Sequence, residues 1–275
     1  MMFSISNRSF FAQGPQRQPL ASDACSHLGQ QLAWLILLVF SLAVAGCTDS
    51  DPGGTTDLSG KTGSLARFAT TPTHLYAVDN DELKVYQIGN GGAIALLNTI
   101  ALDPGVETIA TRDKWLYIGT NQAMLIYDIS TPNTPVLLSA YTHFVGCDPV
   151  VVRDTLAFVT LRTTGCRSVA ANTLDIVNIK NPVNPILVTS FELESPYGLG
   201  VDGNLLFVCE GDNGMKILDV TDPDQPVIVE DYRNVAAFDV IPNDGLLLLT
   251  GPQGIVQYDY TDYLNIRQLS VIGIE

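Results

Sequence analysis

Seven charged or aromatic residues of this sequence could together form a polar ligand site. Carboxylates beside guanidinium groups can hold a polar organic ligand, and a cluster of carboxylate oxygens can hold calcium. The motifs H-E-x-x-H, G-x-S-x-G and G-x-x-x-x-G-K-[ST] do not occur in the chain, so no catalytic site of those kinds is predicted. The candidates are Arg67, Glu107, Asp148, Arg162, Arg167, Tyr197 and Asp239.

A repeated unit supplies the elements that would position these residues. Equivalent turn positions recur at spacings of 41, 50, 41 and 40 residues, and they are Gln87, Asp128, Asn178, Asp219 and Asp259. Each unit reads as four short strands separated by turns rich in Asp, Asn, Gly and Pro. Four strands in about 40 residues are typical of a propeller blade. The sequence therefore predicts an all-β chain, a β-propeller of four-stranded blades, with five blades favoured and six as the alternative.

Three of the turns share one sequence pattern. Asp128–Val136 reads D-I-S-T-P-N-T-P-V, Asn178–Ile186 reads N-I-K-N-P-V-N-P-I, and Asp219–Val227 reads D-V-T-D-P-D-Q-P-V. Together with L-D-I-V-N-I at Leu174–Ile179, this pattern resembles the LVIVD-repeat family of extracellular propellers. The resemblance extends over residues 63–275 and implies a propeller fold and a surface location. It implies no particular reaction.

The candidate residues are expected at one mouth of the central channel. By analogy with other propellers, ligands bind where loops lead into the innermost strands. Counting back the same distance from each predicted second strand places the candidates at or beside these loops, and Arg162 and Arg167 come from a loop inserted in the third unit. His74 is expected in a solvated turn at the opposite end. His143 lies near Asp148 in the sequence and could act as a general base, although a structural role is favoured.

Acidic turns raise the question of calcium. Asp79–Glu82, Glu210–Gly214 and Asp219–Asp224 cluster oxygen ligands, but none fits the loop D-x-[DN]-x-[DN]-G-x₅-E. Asp and Asn in turns are already explained by hydrogen bonds to the backbone. No cofactor is therefore predicted, and calcium at the mouth is the one ion left open.

The charge balance excludes two classes of partner. The 275 residues carry 14 Lys+Arg against 29 Asp+Glu, for a net charge of −15. Nucleic acid and anionic lipid headgroups both require a basic surface, so neither is expected as a partner. The hydrophobic fraction of 46% argues against an acidic disordered chain.

The N-terminal region has the features of an export signal. Residues Leu32–Ala45 form an uncharged apolar run, which is shorter than the roughly 20 residues of a membrane span and fits a secretory signal. The run ends V-A-G-C at Val44–Cys47, which resembles the lipobox of bacterial lipoproteins; the alternative is an ordinary signal peptide with a chance cysteine. By the resemblance, Cys47 carries the lipid and is the only membrane contact. Because Thr48 rather than Asp follows Cys47, the outer membrane or cell surface is favoured.

These features divide the chain into three predicted segments. They are a lipoprotein signal peptide over residues 1–46, a flexible tether over 47–63, and a propeller over 64–275. The tether is polar and Gly-rich.

The cysteines suggest one disulfide in the exported chain. Cys147 and Cys166 belong to connections at the same end of the third unit, so a bond between them is expected. Cys209 has two open interpretations, which are a buried free thiol and an alternative partner of Cys166.

The sequence as a whole favours an exported, lipid-anchored binding or scaffold module that is non-catalytic. Its ligand would be a protein or glycan at the cell envelope. The alternative is a surface hydrolase or lactonase-like enzyme with an acidic mouth site that takes calcium.

Overall fold

The computed structural model describes residues 63–79, 81–142, 149–162 and 172–274. The predicted signal peptide, most of the tether, Cys47, Cys147, Asp148, Cys166 and Arg167 lie outside these ranges, so those assignments stay predictions. In the described part of the chain, no helix is long and apolar enough to cross a bilayer.

Twenty strands form five antiparallel four-stranded sheets, each in simple chain order. Blade 1 contains β1 (Phe68–Thr70), β2 (His74–Asp79), β3 (Glu82–Ile88) and β4 (Ile94–Ala101), with a short 3₁₀ turn at Asn90–Gly92. Blade 2 contains β5 (Val106–Arg112), β6 (Trp115–Thr120), β7 (Ala123–Asp128) and β8 (Val136–Thr142). Blade 3 contains β9 (Val150–Arg153), β10 (Leu156–Leu161), β11 (Thr173–Asn178) and β12 (Ile186–Glu192). Blade 4 contains β13 (Leu199–Asp202), β14 (Leu205–Cys209), β15 (Met215–Asp219) and β16 (Val227–Tyr232). Blade 5 contains β17 (Asp239–Asn243), β18 (Leu246–Gly251), β19 (Gly254–Asp259) and β20 (Arg267–Ile272).

The chain is a five-bladed β-propeller, as the repeat predicted. All five blades shift register between the third and fourth strands, for example at Ile176/Val177 in blade 3. Such a bulge increases the local twist of a sheet.

The face of the propeller where the innermost strands begin is called the top here, and the face where they end is called the bottom.

Buried side chains join successive blades into four hydrophobic clusters, between blades 1 and 2, 2 and 3, 3 and 4, and 4 and 5. In the described ranges, blades 5 and 1 share no such cluster. Leu247 and Leu249 of β18 pack toward blade 4, and strand alternation turns Leu246 and Leu248 the other way. Those two side chains stay 41% and 40% exposed. The junction between blades 5 and 1 is therefore open along part of its length.

Tight turns at the bottom face join the first two strands of each blade. Asp113, Asp154 and Asp244 have φ of 53°, 53° and 45°, and Gly203 occupies the matching place in blade 4 with φ of 53°. Asp tolerates this left-handed region better than most residues because its short side chain bonds to the nearby backbone. The recurrence of Asp in the turns is thus a backbone requirement.

Gly203 provides a test of this requirement. A Cβ at position 203 would meet nothing within 4 Å, so the conformational cost should stand alone. We expect Gly203→Ala to lower the unfolding free energy by about 1 kcal/mol, and Gly203→Asp to lower it by less because Asp is used at the equivalent sites. Urea denaturation of both variants checks the order, and a larger loss for Asp than for Ala would contradict it.

Candidate functional site

A cavity of about 750 Å³ occupies the central channel. This is within the roughly 300–1,000 Å³ of small-molecule sites. Its walls come from the innermost strands of blades 2 to 5, and Leu246, Leu248 and Gln257 extend the wall along the open side of blade 5. Gly63 is the one lining residue that precedes blade 1. The cavity therefore joins the channel to the opening between blades 5 and 1.

The segment that leads into blade 1 crosses the top of the channel. The Ser64 hydroxyl donates to Asp239 Oδ1 at 3.0 Å and accepts from the backbone N–H of Leu199 at 2.7 Å. The backbone N–H of Leu65 donates to Asp239 Oδ2 at 3.3 Å. We call this set of contacts the Ser64–Asp239 clasp. The clasp connects the start of blade 1 with blades 4 and 5, which share no hydrophobic cluster with blade 1 in the part of the chain that the structure describes.

The environment of the Asp239 carboxyl group determines its protonation in the clasp. Desolvation of its carboxyl group raises the pKa of Asp239, and the hydrogen bonds it accepts only partly oppose this shift. Cβ atoms at Gly63 and Gly198 would lie 2.1 and 2.2 Å from the two Asp239 carboxylate oxygens. Only glycine permits so close an approach of the backbone on both sides of the carboxylate.

Five of the seven predicted mouth residues belong to the described part of the chain; they lie at the top face and do not line the cavity. Arg67 Nη2 donates to the carbonyl oxygen of Val106 at 3.3 Å, and Glu107 is half-buried in the irregular start of β5. The structure brings Arg162 and Tyr197 together, with the guanidinium carbon 3.9 Å from the ring centroid. Asp239 belongs to the clasp. The five described candidates thus lie in or beside the loops of the top face, and their proposed ligand remains a prediction.

Two arginines at the bottom rim line the cavity, and sequence reasoning missed them. Arg112 ends β5 and Arg153 ends β9. Arg112 Nη2 donates to Asp154 Oδ1 at 3.0 Å, and Arg153 Nη1 donates to the carbonyl oxygen of Gly203 at 2.5 Å. A sequence signal was present, because Arg-Asp ends the first strand and opens the turn in both the second and the third unit.

An ion-pair network with a buried Lys216–Glu210 pair lies at the top of blade 4. The Lys216 ammonium contacts the Glu210 carboxylate and also donates to Glu194 Oε1 at 3.2 Å. Glu210 Oε1 accepts from the backbone N–H of Glu194 at 2.8 Å, and Arg233 Nη2 donates to Glu194 Oε1 at 2.6 Å. Burial opposes the charge of Lys216, but its bonds to Glu210 and Glu194 outweigh this and raise its pKa. The hydrogen bonds from Arg233 and Lys216 lower the pKa of Glu194 to about 2.

His74 lies at the bottom face as predicted, but the expectation that it is solvated was wrong. Its side chain is buried, with Nδ1 2.8 Å from Thr73 Oγ1 and Nε2 2.7 Å from Asn133 Oδ1 of blade 2. Asn133 belongs to the Pro turn of the second unit, so the histidine ties two blades together. Its partner lies 59 residues away, which the local sequence could not reveal.

Cys209 is a buried free thiol in the core between blades 4 and 5. Burial raises its pKa well above the usual value, which disfavours the reactive thiolate. The first of its two interpretations therefore describes the structure. In the described ranges, no group of three or more His, Cys, Asp and Glu side chains could hold a metal ion.

Comparison with known proteins identifies the repeat. The family model described as LVIVD repeat matches residues 106–143, 168–192 and 198–234, which cover blade 2, the two outer strands of blade 3, and blade 4. The resemblance that rested on the Pro turns is thereby confirmed, and the chain contains LVIVD repeats. No protein of curated function matches the chain in sequence.

Solved structures share the architecture at low identity. A protein from Desulfotomaculum acetoxidans, described as functionally unknown, aligns with a TM-score of 0.61 at 11% identity over 74% of this chain and 67% of its own. A protein from Lactobacillus plantarum gives 0.59 at 12% over 74% and 69%. The periplasmic gluconolactonase PpgL of Pseudomonas aeruginosa gives 0.57 at 11% over 74% and 68%. At these identities the likeness shows the fold alone.

Proposed function

Since this chain contains LVIVD repeats and folds as a five-bladed β-propeller, we propose that it is an exported, lipid-anchored binding module of the cell envelope. It binds a ligand in the channel cavity and does not transform it. The observation that carries the proposal is the 750 Å³ cavity, whose walls come from the innermost strands of four blades. Rigid strands on all these sides form a preformed site, which keeps the entropic cost of binding low.

The proposed location of the module at the membrane rests on the V-A-G-C sequence at Val44–Cys47. With the acidic surface repelled by anionic headgroups, a covalent lipid supplies the membrane contact. We expect the protein in the membrane fraction of its natural host and Cys47→Ala in the soluble fraction. Fractionation followed by immunoblotting measures this, and a Cys47→Ala protein that still sediments with membranes would contradict the lipid anchor.

Ligand binding in the cavity is tested separately from the membrane location. We expect at least one of glucose, N-acetylglucosamine, chitobiose, lactate and octanoate to raise the Tm of the full chain. Ala110 is half-buried and lines the cavity, so Ala110→Trp should fill the channel and abolish that shift. Scanning calorimetry provides the measurement, since a ligand at 100 times its Kd stabilises by about 2.7 kcal/mol. If no compound moves the Tm of the unsubstituted protein, the cavity is not the binding site.

A further inference from the structure

We propose that the cavity takes a small organic anion with an aliphatic body, whose carboxylate is held by Arg112 and Arg153. This inference rests on the proposed function and specifies the class of its ligand. It requires a cationic end and an apolar wall in one continuous cavity, and both are present.

The cationic end is at the bottom rim. Arg112 and Arg153 line the cavity on neighbouring blades. The Nε of each is buried and has no hydrogen-bond partner in the described part of the chain, and Arg153 Nη1 already donates to Gly203 and Asn204, so the ligand would bind the other Nη groups. Guanidinium groups bind carboxylates through paired N–H donors. Two such groups on one rim therefore form a receptor for an anionic head.

The nearby carboxylates do not remove this capacity. Asp154 contacts Arg112 at 3.0 Å and lies 3.8 Å from Arg153 Nε, and Asp113 lies 3.9 Å from Arg112 Nε. Both aspartates are more than 70% exposed, so water screens their attraction for the arginines. Asp202 also lines the cavity, where it accepts a hydrogen bond from the Tyr260 hydroxyl at 2.5 Å; its carboxylate repels an anionic head, so the head binds at the Arg112 side of the rim. A ligand carboxylate brought into the channel would be less screened than these surface partners.

The apolar wall continues from the arginines toward the opening between blades 5 and 1. Val152, Val201, Ile241 and Pro242 line the channel, and Leu246 and Leu248 line its side. The two leucines are the ones left partly exposed because blade 1 does not cover them. An aliphatic body would cover this surface and displace water from it. The same opening gives a chain-like body room to enter from the side.

These features select one ligand class among several. An inorganic anion would bind the arginines but would leave the apolar wall exposed to water. A neutral glycan would make no use of the charged rim. A carboxylic acid with an aliphatic tail uses both, and its charge is opposite to that of the rim.

The experiment titrates the full chain with octanoate by isothermal calorimetry. Octanol tests the need for the head, and acetate and inorganic phosphate test the need for the body. We expect octanoate to bind, and Arg112→Gln and Arg153→Gln each to weaken its Kd by about tenfold or more, one lost charge-assisted pair. Arg267→Gln is the matched control, since Arg267 is exposed on β20 and pairs with Asp259, and it should leave the Kd unchanged. Leu248→Ser should weaken octanoate binding through loss of the apolar wall.

Each other outcome has a defined meaning. Equal binding of acetate or phosphate would overturn the need for a body, and equal binding of octanol would overturn the role of the arginines. If octanoate fails while a neutral sugar binds and Ala110→Trp abolishes that binding, this inference falls and the proposed function stands. If nothing binds, both fall. Should Arg153→Gln fail to fold because its bond to Gly203 is lost, Arg112→Gln decides the question, since its partner Asp154 is solvent-exposed.

Discussion

Replacing Lys216 by methionine should lower the unfolding free energy by about 3–5 kcal/mol, which is the largest effect that we expect from a single substitution in this protein. Lys216 is 4% exposed and its partner Glu210 is 1% exposed. Without the ammonium group, the Glu210 carboxylate stays buried with the backbone N–H of Glu194 as its remaining donor. An uncompensated charge in such a place is costly because water cannot reach it.

Arg233 supplies the matched control. It pairs with Glu194 and Asp231, but its side chain is 55% exposed, so Arg233→Gln should cost less than about 1 kcal/mol. Adding Glu210→Gln to Lys216→Met should restore part of the loss, since the buried charge is then gone. Urea denaturation of the four proteins completes the comparison. A loss of less than 1 kcal/mol for Lys216→Met would mean that water reaches Glu210.

The clasp provides the second prediction. Ser64→Ala should lower the unfolding free energy at pH 7 by about 2–3 kcal/mol, because it leaves the Leu199 N–H without its acceptor and takes a donor from the half-buried Asp239 carboxylate. Ser270, which is exposed on β20 and bonds to Gln257, is the control: Ser270→Ala should fall within about 0.5 kcal/mol of the unsubstituted protein.

The effect of Ser64→Ala should depend on pH in a defined direction. The folded pKa of Asp239 is raised above its ordinary value of 3.8, so this group stabilises the fold when protonated and loses that contribution as pH rises above about 4. Loss of the Ser64 donor raises the folded pKa further. The difference between Ser64→Ala and the unsubstituted protein should therefore be larger at pH 7 than at pH 4. A difference that grows toward low pH would contradict the assignment of a desolvated carboxyl group to the clasp.

The sequence predicts the blades well because each is built from local signals. Alternating aliphatic residues and the Pro turns at Asp128, Asn178 and Asp219 recur within every 40 to 50 residues, and the hairpins need nothing from elsewhere in the chain. The number of blades follows from the number of units. The register shift in the fourth strand of each blade has no comparable signal in the sequence.

The site was harder to predict because its chemistry depends on contacts between blades. Asp239 looks like a mouth carboxylate until Ser64, 175 residues away, is found bonded to it. His74 is a turn residue by sequence and a link between blades in space. Arg112 and Arg153 end strands at the bottom face, whereas analogy with other propellers directs attention to the top. Propeller geometry locates two mouths, and only the packed side chains show that the cavity extends to the bottom rim.

The position of the clasp has a mechanical consequence. If the predicted tether ends on a lipid at Cys47, any pull between the membrane and a bound partner enters the fold at Gly63, next to Ser64. The first bonds to carry that load are those from Ser64 and Leu65 to Asp239, and among the described residues no shared buried core joins blades 5 and 1 behind them. Tension would thus release blade 5 from the start of blade 1 while the other four junctions stay packed. A pull on the lipid anchor would therefore act on the junction between blades 5 and 1, where the cavity opens.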